Sequence, residues 1–205
     1  METKLIICVA ILVIFLIVIA YFLYTNRGVL IEVNGYKVRF LDYPDIKKAE
    51  RLVKLVLIDI NKLFDHLENN FNPKIVKKEI YLGTELIYDK ILRMKRNFKP
   101  SLIKEIKPRN IKGYTSYVMD KGESMGFCIR NLEKNIHEKN ILMFVFIHEI
   151  AHSMTKSWGH PPIFWENMAF LLEQAEKIGI INIINYNKKP EDYCGLEVKE
   201  NPLFV

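Results

Sequence analysis

The five residues His148-Glu149-Ile150-Ala151-His152 have the spacing in this chain that most readily does chemistry. On a helix, two imidazoles four positions apart share one face at about 5–6 Å, close enough to meet one zinc ion at about 2.0–2.1 Å. Glu149 sits beside that pair, placed to take a proton from a water that the metal has acidified. The chemistry implied is hydrolysis of an amide. A catalytic zinc takes three protein ligands and keeps a fourth position open, so a third donor is needed. His160, eight residues past His152, is the first candidate. Glu166 is the alternative ligand; failing that, it could hold an imidazole N–H from behind or be an ordinary helix acid. For His160 to return to the pair, the helix must end soon after His152. Ser157, Gly159 and Pro161-Pro162 provide for that turn.

The elements around this motif follow from periodicity. Residues 141–147 are apolar on all sides, which predicts a buried helix starting near Asn140 and carrying the motif at its end. A second helix starts near Pro162 and stops at Gly179, with Trp165, Met168, Ala169, Leu172 and Ala175 on its packed face. Upstream, two alternating runs flank Asn34-Gly35 and predict a hairpin over residues 29–40. After Pro44, apolar residues at Leu52, Leu55, Val56, Ile60, Leu63, Phe64 and Leu67 predict an amphipathic helix of about 25 residues. His66 within it has no ligand-spaced neighbour and reads as packed or solvated. Residues 73–98 predict one or two further helices interrupted near Gly83, and residues 114–119 and 125–130 a second hairpin turning at Lys121-Gly122. Helices and hairpins in separate runs give an α+β class.

Of 205 residues half are apolar, but all 20 from Leu5 to Tyr24 belong to that set. This run would form a helix of about 30 Å, the thickness of a bilayer core. It is too long for a signal peptide and ends in Tyr21, Phe22 and Tyr24 before Arg27, which predicts a retained single span. The expected organisation is an anchor over residues 1–26 and one domain over residues 27–205. Arg27, Lys37 and Arg39 against Glu32 favour a cytoplasmic C-terminal domain, as does the odd count of three cysteines. Cys128 reads as a buried strand thiol, with pairing to Cys194 open. The composition excludes disordered and low-complexity classes.

The net charge is +6, and the segment from Lys90 to Lys112 holds nine bases and one acid, so the rest of the chain carries −2. A charge run of this kind is commonly a solvated face. The functional readings are phosphate binding to nucleic acid or attraction to anionic lipid. Tyr114, Tyr117 and Tyr193 are phenols that could stabilise an oxyanion, with packing as the competing role. His137, ahead of the buried helix, reads as capping or exposed.

The run HEIAH, seven residues, His160, then Pro161-Pro162-Ile163-Phe164-Trp165-Glu166 resembles the WLM and SprT-like zinc metallopeptidases. It is similar to uncharacterised membrane-anchored metallopeptidases of large DNA viruses, in which Thr115-Ser116-Tyr117, Asp120-Lys121-Gly122, Phe127-Cys128 and Asp192-Tyr193-Cys194-Gly195 also have counterparts. The resemblance covers about residues 75–205. It implies a zincin-like α+β domain with a small β-sheet, preceded here by the N-terminal transmembrane helix. It further implies Zn2+ held by His148, His152 and His160, Glu149 as general base, and a protein or peptide substrate. It also implies that a strand beside the zinc helix binds substrate backbone; Met125–Arg130 is the candidate. Soluble members of the group act on DNA-crosslinked proteins, which makes nucleic acid an alternative partner. A non-catalytic, membrane-tethered binding module is the other alternative.

Overall fold

The computed structural model describes residues 2–25, 28–108, 116–119 and 124–204. The 120–123 turn of the second hairpin, with Asp120, Lys121 and Gly122, lies outside them, as do Arg109, Lys112, Tyr114 and Thr115. Helix α1 (Glu2–Thr25) carries the apolar run. Every side chain described in it, residues 7–21, is exposed. Among the described residues no helix is long and apolar enough to cross a membrane, so the expected span is not established by the fold.

The hairpin expected around Asn34-Gly35 is present as β1 (Val29–Val33) and β2 (Tyr36–Phe40), with positive φ at both turn residues. It leads into α2 (Ile46–Phe71), whose buried face includes Val53, Val56, Leu57, Ile60, Leu63 and Leu67. Leu55, expected on that face, is instead exposed because the buried stripe passes through Val53 and Leu57. The interruption near Gly83 is structured. Helix α3 (Pro73–Val76) is followed by a small hairpin, β3 (Tyr81–Leu82) and β4 (Glu85–Leu86), and then α4 (Ile87–Asn97).

A strand that the sequence did not announce, β5 (Leu102–Glu105), emerges from the middle of the basic segment. It pairs in parallel with β2 on one side and with β7 (Ser124–Phe127) on the other, while β6 (Ser116–Met119) pairs antiparallel to β7. The sheet order is therefore β1-β2-β5-β7-β6. This arrangement corrects one expectation. Strand β7, the core of the proposed substrate strand Met125–Arg130, is bonded on both edges, so no extended chain can add to it; among the described residues the edge strand beside it is β6.

Helix α5 (Lys139–Met154) packs against α2, α4 and the final long helix, α6 (Pro162–Lys177). Its residues 141–147 are all buried, as an all-round apolar helix must be. Phe146 stacks on Phe127 at 3.8 Å between ring centroids, fixing α5 to the sheet. The chain closes with a hairpin, β8 (Glu191–Tyr193) and β9 (Leu196–Val198), and a 3-10 turn. Cys128, just after β7, is disulfide-bonded to Cys194 in that hairpin, with Cα atoms 5.8 Å apart. The cysteines therefore form a cross-link between sheet and C-terminus, in place of the expected buried thiol.

Burial and pairing divide the basic segment. Lys90 is 1% exposed, Arg93 is paired with Glu85, and Lys95 with Glu68. The +8 run is therefore not one cationic surface.

Candidate metal centre

Helix α5 must stop just after His152, and its last four carbonyls show how. The Thr155 hydroxyl and backbone N–H donate to Ala151 O at 2.7 and 3.0 Å, and the same N–H reaches His152 O at 3.3 Å. Asn97 Nδ2 donates to Ser153 O at 3.1 Å and Arg93 Nη1 to Met154 O at 2.7 Å. The orphan acceptors of a helix end are thus all met from outside the helix. Behind them runs a buried relay: Lys90 Nζ donates to Asn167 Oδ1 and Asn167 Nδ2 to Thr155 Oγ1, each at 2.9 Å. This relay ties α4, the end of α5 and α6 together.

With the helix ended, Gly159 takes a positive φ of 74° and the chain doubles back. His160 Nε2 arrives 3.1 Å from His148 Nε2. One ring nitrogen from each of His148, His152 and His160 falls within 4.8 Å of the other two. Two nitrogens on one tetrahedral zinc at about 2.0–2.1 Å stand about 3.3 Å apart, so the spacing fits a shared cation. Phe164, fully buried at the start of α6, packs on all three rings at 4.5–4.9 Å between centroids and forms their floor. Glu166 is exposed, and its carboxylate faces the β3–β4 turn at Gly83; it is not part of the cluster.

The electrostatics fit metal donors. Burial, then the neighbouring charges of His152 and His160, pushes the His148 pKa down to about 3, which keeps its imidazole neutral as ligation requires. Glu149 is 4% exposed, and burial pushes its pKa up to about 7 although the Ser116 side chain on β6 hydrogen-bonds its carboxylate. Neutral imidazoles could hold a divalent cation, and a carboxyl group titrating near neutrality could exchange a proton beside it.

The remaining candidates separate clearly. Tyr117 covers Gly126 across the sheet, where any Cβ would collide with its ring, so its role is packing. Tyr193 is 2% exposed, lines the cavity beside His148, and its hydroxyl is hydrogen-bonded to the Cys128 backbone. His137 is neither a cap nor exposed. It is half-buried against the Tyr193 ring at 5.0 Å. His66 hydrogen-bonds Gln174 at 3.0 Å, a packing role. Sequence reasoning had no role for Ser116, or for the Lys90–Asn167–Thr155 relay, because none belongs to a local pattern.

No model of a known protein family matches the chain. It is 26% identical over 180 residues to the uncharacterized protein R325 of Acanthamoeba polyphaga mimivirus, covering 87% of this chain and 81% of that one. It is 34% identical over 84 residues to the uncharacterized protein 042R of Invertebrate iridescent virus 3, spanning 40% of this chain and half of that relative. Among solved structures, Wss1 from Saccharomyces cerevisiae is similar at a TM-score of 0.48 and 14% identity, over 69% of this chain and 88% of that one. A Wss1 mutant gives the same score over 89% of its length.

Proposed function

We propose that the chain is a membrane-anchored, zinc-dependent endopeptidase. The observation that carries this reading is the convergence of the His148, His152 and His160 ring nitrogens beside a buried carboxyl group. Zinc bound there would supply a Lewis acid and an acidified water. The chain's own residues do the rest. The ring nitrogens of His148, His152 and His160 would hold the cation. Glu149, buried and with a pKa pushed up to about 7, would take the proton from the attacking water and return it to the leaving amine. Ser116 steers that carboxylate, and the Lys90–Asn167–Thr155 relay keeps the turn that returns His160. The edge strand β6, next to β7 and with Ser116 on Glu149, is where an extended protein or peptide substrate would lie.

Replacing Glu149 by Gln should leave the zinc content of the full-length protein unchanged and lower peptide hydrolysis by about 10²–10⁴-fold. Turnover equal to wild type would remove the general-base assignment.

The anchor rests on the uncharged run Leu5–Tyr24 of the sequence, which as a helix would extend about 30 Å. The described side chains are 15 of those residues, all exposed, and make no contact that would bury them in the domain. The Cys128–Cys194 pair removes the cysteine argument for a cytoplasmic domain, since such bonds persist in oxidising compartments. It supports placing the domain on the far side of the membrane from the reducing cytosol. The nucleic-acid reading loses the single cationic face on which it depended.

A further inference from the structure

A cavity of about 400 Å³ opens directly beside His148, within the roughly 300–1,000 Å³ range of small-ligand sites. One side is built by helices: Phe144 and Val145, one turn before His148 on α5, and Met168 on α6. The other is built by the C-terminal hairpin, through Tyr193 and Val198, with Lys199 and Glu200 at the mouth. Ser116, the partner of Glu149, also lines it, so the cavity begins at the corner where general base and metal ligand meet. Its deep surfaces are apolar. Phe144, Val145, Met168 and Tyr193 are all at most 8% exposed, while the charged groups lie at the rim. The wall is held in place covalently, because Cys194 adjoins Tyr193 and is bonded to Cys128 at the end of β7.

Resting on the peptidase reading, we infer that this cavity receives a large apolar side chain, leucine- to phenylalanine-sized, on the residue flanking the scissile bond. The hairpin from Glu191 to Val198 is thus the specificity element of the protein. An aromatic or branched aliphatic group entering it would leave water for contacts with Phe144, Met168 and Val198. A glycine would forgo that transfer, and a carboxylate would enter an apolar cavity without a cationic partner at its base. The expected discrimination for burying such a side chain is at least about tenfold.

The test uses the full-length protein in detergent, loaded with zinc, and a series of peptide hydroxamates that chelate the metal and differ only in the adjoining side chain. Leucine and phenylalanine members should bind at least about tenfold tighter than the glycine member. Val198→Trp, which fills the cavity from its half-exposed wall, should abolish that ratio and leave the glycine hydroxamate unaffected; Val198→Ala should preserve it. Equal affinities across the series in the wild type, or an unchanged ratio in Val198→Trp, would overturn the specificity assignment with the peptidase reading intact. Failure of every member to bind, together with a zinc-free protein, would instead overturn the peptidase reading and this inference with it.

Discussion

Two clusters of ionisable groups among the described residues are built on opposite principles. In the first, Arg130 and Glu105 are 1% and 6% exposed and form an ion pair; Arg130 also pairs with Asp45 at 2.7 Å and lies over the Tyr43 ring at 4.7 Å. The second Glu105 oxygen accepts the Leu41 N–H at 2.8 Å. Burial still raises the Glu105 pKa, but hydrogen bonds and the facing guanidinium offset it. In the second cluster, half-buried His148 and buried Glu149 have no opposite charge among the described residues to offset their desolvation. Complementary charge makes a joint between the sheet and α2. Where it is absent, the three imidazoles are grouped so that they could hold a cation.

That contrast is breakable. Arg130→Ala should destabilise the metal-free protein most, by about 3–5 kcal/mol, because it strands a buried carboxylate; urea unfolding measures it. A loss below about 1 kcal/mol would mean that the joint is not one. Glu149→Gln should act in the opposite direction. The folded pKa of about 7 lies above the ordinary 4.5, so the wild-type group favours the fold only while protonated. Stability is lost as pH rises from about 4.5 to 7. The metal-free variant should therefore match wild type near pH 4 and exceed it by about 3 kcal/mol at pH 8. A pH-independent difference would contradict the burial argument. Asn167→Ala, which breaks the relay lying between the two extremes, should cost about 1–3 kcal/mol and weaken zinc retention. An unfolding midpoint and zinc affinity both equal to wild type would show that the relay does not hold the turn.

How much of this was readable beforehand varies with the range of the forces involved. The motif helix, its apolar lead-in, the Pro162 start of α6 and the Asn34-Gly35 hairpin all have local signatures, and each lies where periodicity and turn chemistry put it. The return of His160 toward His148 was legible too, because glycine and proline mark the reversal. Strand β5 was not: its four residues sit in a charged run, and its partners Val38 and Met125 are distant in sequence. The same applies to Lys90, whose charge looked like surface until α6 supplied Asn167 as its acceptor. The Cys128–Cys194 bond likewise depends on a separation of 66 residues closing through the sheet. Leu55 was misplaced because a continuous apolar run allows more than one stripe.

The central claim is that three imidazoles from two segments bind one cation. Metal analysis of the full-length protein in detergent, wild type beside His160→Ala, tests it most directly. The account predicts about one zinc per chain in the wild type and a large loss in the variant. A wild type without zinc, or a variant that retains it fully, would contradict it.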